Sequence, residues 1–236
     1  VINISNCSFS GNETSADGAA CFFQAATGTI DNCTFSNNTA TDNAGAIYVY
    51  VNSDIDINNT TFNSNVSGNS GGSIKIANAT MDIDNCEFND NTAASGGDRD
   101  GGAIMSQAWN DGTNNITVAN SLFDGNQAGD NGGAIIWKDD GHNVTISNCT
   151  FENNSATGQT GDSDGGALSF HNTSTVSITN SIIKNNSASR YGGGITTTST
   201  QTVTLNNVTL GGNTANTTAI DNAQYQYSSG GTYAIA

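Results

Sequence analysis

Proline is absent from all 236 residues, and only five lysines and arginines stand against 21 aspartates and glutamates. Without proline every residue can donate its backbone N–H, so no segment is barred from the middle of a β-sheet. A formal charge of −16 excludes a phosphate-binding surface, and with it nucleic acid as a partner. Metal cations, basic surfaces and neutral glycans remain compatible with that charge. No apolar run approaches the roughly 18 residues that span a bilayer, and no basic stretch leads into an apolar one as in an export signal. The first residue is Val1, inside a strand pattern, so the chain reads as a mature or excised portion whose signal or anchor lies elsewhere.

Glycine, asparagine, serine and threonine dominate what is there. That bias suits disorder when the apolar residues are scattered. Here they recur. One pattern appears eight times: an apolar strand, Asn, a small residue, any residue, a large apolar residue, two residues, then Asn. The large apolar position is Phe9, Phe35, Phe62, Phe88, Phe123, Phe151, Ile183 and Leu210, spaced 26 to 35 residues apart. Three residues earlier stand Asn6, Asn32, Asn59, Asn85, Asn120, Asn148, Asn180 and Asn207. Three residues later stand Asn12, Asn38, Asn65, Asn91, Asn126, Asn154, Asn186 and Asn213.

A second signal follows after a loop of variable length. It reads GGAI or a close variant at 44–47, 71–74, 101–104, 132–135, 165–168 and 192–195, with a degenerate form at 18–21. Short β segments with period-2 alternation flank each first Asn, as in Val144 and Ile146, then Cys149 and Phe151. Asn tolerates a left-handed backbone, so it bends one strand into the next. Bends stacked about 4.8 Å apart let the side-chain amides bond up and down a column. These features predict an all-β chain: a right-handed, single-stranded parallel β-helix of about eight coils over residues 1–216, with both Asn rows laddered inside the rod. Residues 217–236 drop the repeat and read as a tail that caps the last coil or adds as a strand to another copy.

GGAI at 101–104 and 132–135, GGAL at 165–168, and the six FxxN pairs from Phe9–Asn12 to Phe151–Asn154 resemble the repeats of chlamydial polymorphic outer-membrane proteins. They are similar also to adhesin-like β-helix proteins of bacteria and methanogenic archaea. The resemblance covers residues 1 to about 216 and implies a surface-exposed repeat region acting in adhesion. Such motifs encode corners and core, so they specify fold more than activity. No translocator barrel accompanies the repeats, so the membrane attachment of the chlamydial group does not carry over.

Several residues stand out as candidate sites. Asp98, Asp100, Asp130, Asp162 and Asp164 precede glycine corners, and Asp-x-Asp spacing brings two carboxylates within reach of one Ca²⁺. Plain turn chemistry on a solvated corner is the competing reading, and no cofactor is required by the repeat. The residue after each GGAI isoleucine faces away from the core by alternation, so Phe22, Tyr48, Met105 and Ile136, with Tyr50, form either a lateral contact patch or a row covered by a loop or the tail. Tyr225 and Tyr227 in the tail extend that interface list. Cys7, Cys33, Cys86 and Cys149 share a position with Thr60, Ser121 and Ser181, which favours buried thiols over disulfides. Asp139, Asp140, Gly141 and His142 are the one stretch resembling a catalytic cluster, and an exposed turn is the reading preferred for it.

Two function classes follow. The first is a non-enzymatic extracellular or cell-surface adhesive or structural module that binds glycans or associates with itself, head to tail or by strand exchange, into a filament or sheath. The second is a polysaccharide-active enzyme or glycan-binding module, recognisable by carboxylates gathered on one sheet face across adjacent coils with aromatic subsites beside them.

Overall fold

The computed structural model describes residues 1–94, 98–109, 112, 114–139, 142–158, 163–171, 175–197, 202–216, 224–226 and 232–235. Its strands form four parallel sheets, one of nine strands and three of eight, and each sheet takes every fourth strand of the chain. This is a parallel β-helix. Each coil runs through sheet 1 (for example Asp54–Asn58), sheet 2 (Thr61–Asn63), sheet 3 (Val66–Ser67) and sheet 4 (Ile74–Ala77). The two-residue strands of sheet 3 are the one element that the alternation pattern had not separated, because two residues carry no period.

Register follows the repeat. Phe9, Phe35, Phe62, Phe88, Phe123 and Phe151 pair successively, then Ile183 and Leu210. Neighbouring rings in this row stack nearly parallel with centroids 4.6 to 5.0 Å apart, close to the spacing of adjacent strands. Five of these rings are fully buried. A second interior stack, Trp137 on Phe170 at 4.9 Å, lies in sheet 4. The second glycine of each pair is set by close approach. A Cβ on Gly102 would overlap the Gly133 carbonyl and the Gln127 backbone.

The two Asn rows part company. Asn38, Asn65, Asn91, Asn126, Asn154 and Asn186 are buried with no exposure at all, and form a continuous interior ladder. In each step one side-chain Oδ1 accepts both the backbone N–H and the Nδ2–H of the Asn one coil earlier. For Asn65 and Asn91 these distances are 3.0 and 3.0 Å. The second Nδ2 proton goes to a phenylalanine carbonyl, as from Asn91 to Phe62 at 3.0 Å. Every amide atom is satisfied, which is the condition for burying it.

The earlier row, Asn6 through Asn207, is exposed, contrary to the expectation that both ladders run inside. Here Asn itself carries the bend, with φ between 48° and 55°. At the interior ladder the bend belongs to the preceding residue: Gly11, Asn37, Ser64, Asp90, Gly125, Asn153, Asn185 or Gly212, all at positive φ. A left-handed residue lies at the outside of a turn, so the first row is turned outward and the residue after each bend is turned in. The outer row is also mixed. Asn85 donates to Asn59 at 2.8 Å, but Asn59 donates to Asp31 at 2.7 Å and Asn120 to Asp84 at 2.6 Å.

A third ladder explains the cysteine position. The backbone N–H of Cys33 meets Thr60 Oγ1 at 3.2 Å, that of Cys86 meets Ser121 Oγ at 3.0 Å, and that of Cys149 meets Ser181 Oγ at 3.1 Å. The place selects a small side chain that accepts from the coil before it. All five cysteines are free thiols. Burial pushes the Cys86 thiol up to about 12 and that of Cys149 up to about 11, which keeps both protonated and unreactive at neutral pH. Alkylation of the native chain near pH 7.5 should therefore label the exposed Cys7 and spare Cys33, Cys86 and Cys149 until the chain is denatured. Native labelling of Cys86 or Cys149, read by peptide mass, would contradict the packing.

The tail strands Gln224–Gln226 and Thr232–Ile235 pair in parallel with Ile195–Thr197 and Thr202–Asn206 of the same chain. They continue sheets 4 and 1. Tyr225 lies within the first of them, opposite Thr196. Tyr227 lies outside the described residues.

Candidate functional site

The outer Asn row sits in the bend between sheets 1 and 2, and a concave groove of about 500 Å³ follows it across four coils. Asn59, Asn85, Asn120 and Asn148 form one wall, and Thr61, Glu87, Leu122 and Thr150 the other. The second wall is a single register row of sheet 2 that runs on to Ile182, itself 42% exposed. Amides, hydroxyls, one carboxylate and the aliphatic side chain of Leu122 thus face a common open channel. Repeating bends created it, because each coil contributes the same two positions.

Beside the groove, sheet 1 presents an acidic face. Asp56 lies opposite Asp82 in register, Asp54 is two residues before Asp56, and Asp31 and Asp84 border the outer ladder. Partial desolvation, then the charges of Asp82 and Asp54, raise Asp56 above its usual carboxylate value. A raised value means that the folded chain holds this proton more tightly than the unfolded chain. Its contribution is present at low pH and is lost as pH rises through the folded value. NMR titration should show Asp56 above the ordinary range, and Asp82→Asn should move it down. An unchanged titration in that variant would remove Asp82 as a cause.

The acids expected to bind calcium are engaged otherwise. Asp100 and Asp164 are 1% and 0% exposed, not solvated. Lys138 Nζ lies 3.1 Å from Asp100 and 3.4 Å from Asp98. Arg190 holds Asp164 through Nε and Nη2 at 2.9 and 2.6 Å, and the Tyr191 N–H adds a bond at 3.1 Å. Asp130 pairs with Arg99 at 3.2 Å. Asp162 lies outside the described residues, and among the described residues no group of three or more His, Cys, Asp or Glu is placed to hold a metal. These acids belong to a further polar row in which Asn43 meets Asp17, and Asn131 meets Asp100, one coil apart. A cation from the following coil reaches back to Asp100 and Asp164, and Arg99 of the preceding coil reaches forward to Asp130.

Of the two readings of the outward row, cover holds for most of it. Tyr48, Met105 and Ile136 are buried, and the first glycine of the corner lies against the row: a Cβ on Gly18 would press on Tyr48, and one on Gly132 on Ile136. Phe22 remains 49% exposed and Tyr50 partly so. Trp109, which alternation did not flag because it lies in an insertion, comes within 6.1 Å of Tyr50 and packs over Ala77. Asn78 fixes it by accepting the Trp109 N–H at 2.8 Å and donating to its carbonyl at 3.1 Å.

Asp139 and His142 bond to different residues. His142 is fully buried, with Nε2 2.8 Å from the Lys138 carbonyl and Nδ1 3.4 Å from Ser106, whereas Asp139 accepts a bond from Gln107 at 3.1 Å. Asp140 and Gly141 lie outside the described residues. Among the described residues no helix is long and apolar enough to cross a membrane.

Comparison with known proteins agrees with the coil geometry. The family model described as the right handed beta helix region matches residues 1–103 and 36–232. No curated protein and no solved structure matches the chain. Between them the two matched stretches take in nearly every coil, and the chain belongs to the right-handed β-helix family.

Proposed function

We propose that this chain is an extracellular, cell-surface adhesive β-helix that binds neutral glycans along the groove beside its outer Asn row. The groove carries the reading. Its amides and hydroxyls match sugar hydroxyls as donors and acceptors, Leu122 and Ile182 offer apolar contact to sugar faces, and the charge of −16 disfavours polyanions. Resemblance to adhesin-like repeat proteins points the same way. Head-to-tail self-association belongs to this reading, since stacking would extend the same parallel ladders from copy to copy. The test is binding of the intact chain to a panel of neutral polysaccharides. Thr61→Arg and Leu122→Arg, which fill the groove from its exposed wall, should weaken binding at least tenfold, about 1.4 kcal/mol. Equal binding by both variants would refute the groove as the site. Negative-stain images showing dispersed rods at all concentrations would refute self-association.

One observation favours a second reading, a polysaccharide-active enzyme. Asp54, Asp56 and Asp82 gather on one sheet face across adjacent coils, and grouped carboxylates of which one, Asp56, holds its proton more tightly than usual are what acid–base chemistry on sugars uses. Turnover of any polysaccharide that disappears in Asp56→Asn would establish it, and turnover indifferent to Asp56 and Asp82 would exclude this face.

A further inference from the structure

Lys75 Nζ lies 3.0 Å from Asn43 Oδ1, across the step between coils 2 and 3. Carboxylates hold the other end of the same amide. Asn43 Nδ2 donates to Asp17 Oδ1 at 2.9 Å and to Asp42 Oδ1 at 3.1 Å, and the Asn43 backbone N–H donates to Asp17 at 3.0 Å. The group is shielded: Lys75 is 6% exposed and Asn43 9%. Nζ sits 6.0 Å from the Tyr48 ring centre and 5.6 Å from that of Trp109.

We propose that Lys75 and Asn43 join through an intramolecular amide bond that ties coil 2 to coil 3, with Asp17 carrying the proton. The neutral Lys75 amine attacks Asn43 Cγ, forming a new C–N bond and a tetrahedral centre. Asp17 takes a proton from the attacking nitrogen and returns it to Nδ2, the atom it already contacts. The Cγ–Nδ2 bond then breaks and ammonia leaves. One side-chain amine and one side-chain amide become one secondary amide plus ammonia, with no oxidant and no co-reactant.

The requirement for a neutral amine separates this site from its counterparts. Burial pushes Lys75 below its ordinary value, against the opposing pull of Asp17, Asp42 and Asp98. Lys138 reaches back one coil in the same manner but meets a carboxylate, Asp100. Burial pulls Lys138 down as well, yet Asp100 and Asp98 outweigh it and its value is raised, so that amine stays an ammonium in an ion pair. Among the described residues, only at Lys75 does the reaching lysine face a side-chain amide whose nitrogen is poised against an acid. A desolvated lysine is the form in which this residue acts as a nucleophile.

The experiment is trypsin digestion of the denatured full chain followed by mass spectrometry. An acylated Lys75 resists trypsin, so the expected product is one peptide ending at Arg99 that contains both Asn43 and Lys75 and is lighter than its sequence by one ammonia. A linear peptide ending at Lys75 with its unmodified mass overturns the proposal. A succinimide at Asn43 loses the same ammonia but leaves Lys75 cleavable, and that result overturns it too. Lys75→Met should restore the full sequence mass. Asp17→Ala should leave most of the chain unlinked, and complete linkage in that variant would remove Asp17 from the chemistry.

Discussion

Asn126→Ala should lower the stability of the folded chain by about 3–6 kcal/mol, read as a fall in the urea midpoint at unchanged slope. The Asn126 Oδ1 accepts the Asn91 backbone N–H at 3.1 Å and the Asn91 Nδ2–H at 2.9 Å, while its own Nδ2 serves Asn154 Oδ1 and the Phe88 carbonyl, both at 2.9 Å. Removing the amide takes the acceptor from two buried Asn91 donors and a donor from the Phe88 carbonyl, while Asn154 Oδ1 keeps the residue-126 backbone N–H at 3.0 Å, and each orphaned group costs about 1–3 kcal/mol. No water reaches the site to replace it, since Asn91, Asn126 and Asn154 have no exposed surface. Asn126→Asp should not rescue, because it keeps the acceptor but sets a second oxygen against two oxygens. Asn120→Ala, in the exposed row, should cost only about 1–2 kcal/mol, the strain of a left-handed alanine. Equal losses at the two positions would refute the division into inner and outer rows.

The second large effect is expected at Phe123→Ala, about 3–5 kcal/mol. The Phe123 ring is fully buried and stacks at 4.6 Å on Phe88 and 4.8 Å on Phe151, so truncation opens a cavity bounded by two rings that the backbone ladders hold in place. Phe123→Leu should cost about 1 kcal/mol, because Ile183 and Leu210 fill the same row in later coils. Because a solenoid is stabilised by nearest-neighbour stacking, either central loss should weaken both halves of the rod. Phe9→Ala, at a half-buried position with a ring on one side only, should cost less than Phe123→Ala in the same urea series.

The repeated Asn, Phe and Gly positions carried the architecture in plain view, since a period of this length has no use unless identical positions stack. What the repeat could not convey was which way each Asn turned. Asn120 and Asn126 are the same residue three positions either side of Phe123, and only the neighbours differ. Asn120 follows Ala119 and makes the bend itself, whereas Asn126 follows Gly125, which makes the bend for it. That clue was present in Gly11, Asn37, Ser64, Asp90 and Gly125, a row of left-handed formers, but it has meaning only once the inside of the coil is known. Outward alternation likewise gave the direction of Tyr48 and Met105 and left their exposure open; both are buried.

Site chemistry was the least legible part. Asp100 and Asp164 look like solvated turn acids in sequence, yet Lys138 and Arg190, 38 and 26 residues away, seal them. Lys75 and Asn43 are 32 residues apart and share no motif. Asp56 and Asp82 become neighbours only through strand register.

By itself, then, the order of residues determined the coil, its corners and the content of its core, because backbone bends and period-2 burial are local and repeat with the chain. The tertiary structure alone decided which polar side chains are sealed, paired or open along the rod. Those outcomes depend on contacts between successive coils, and the variable loops make the separation of such partners different at every step.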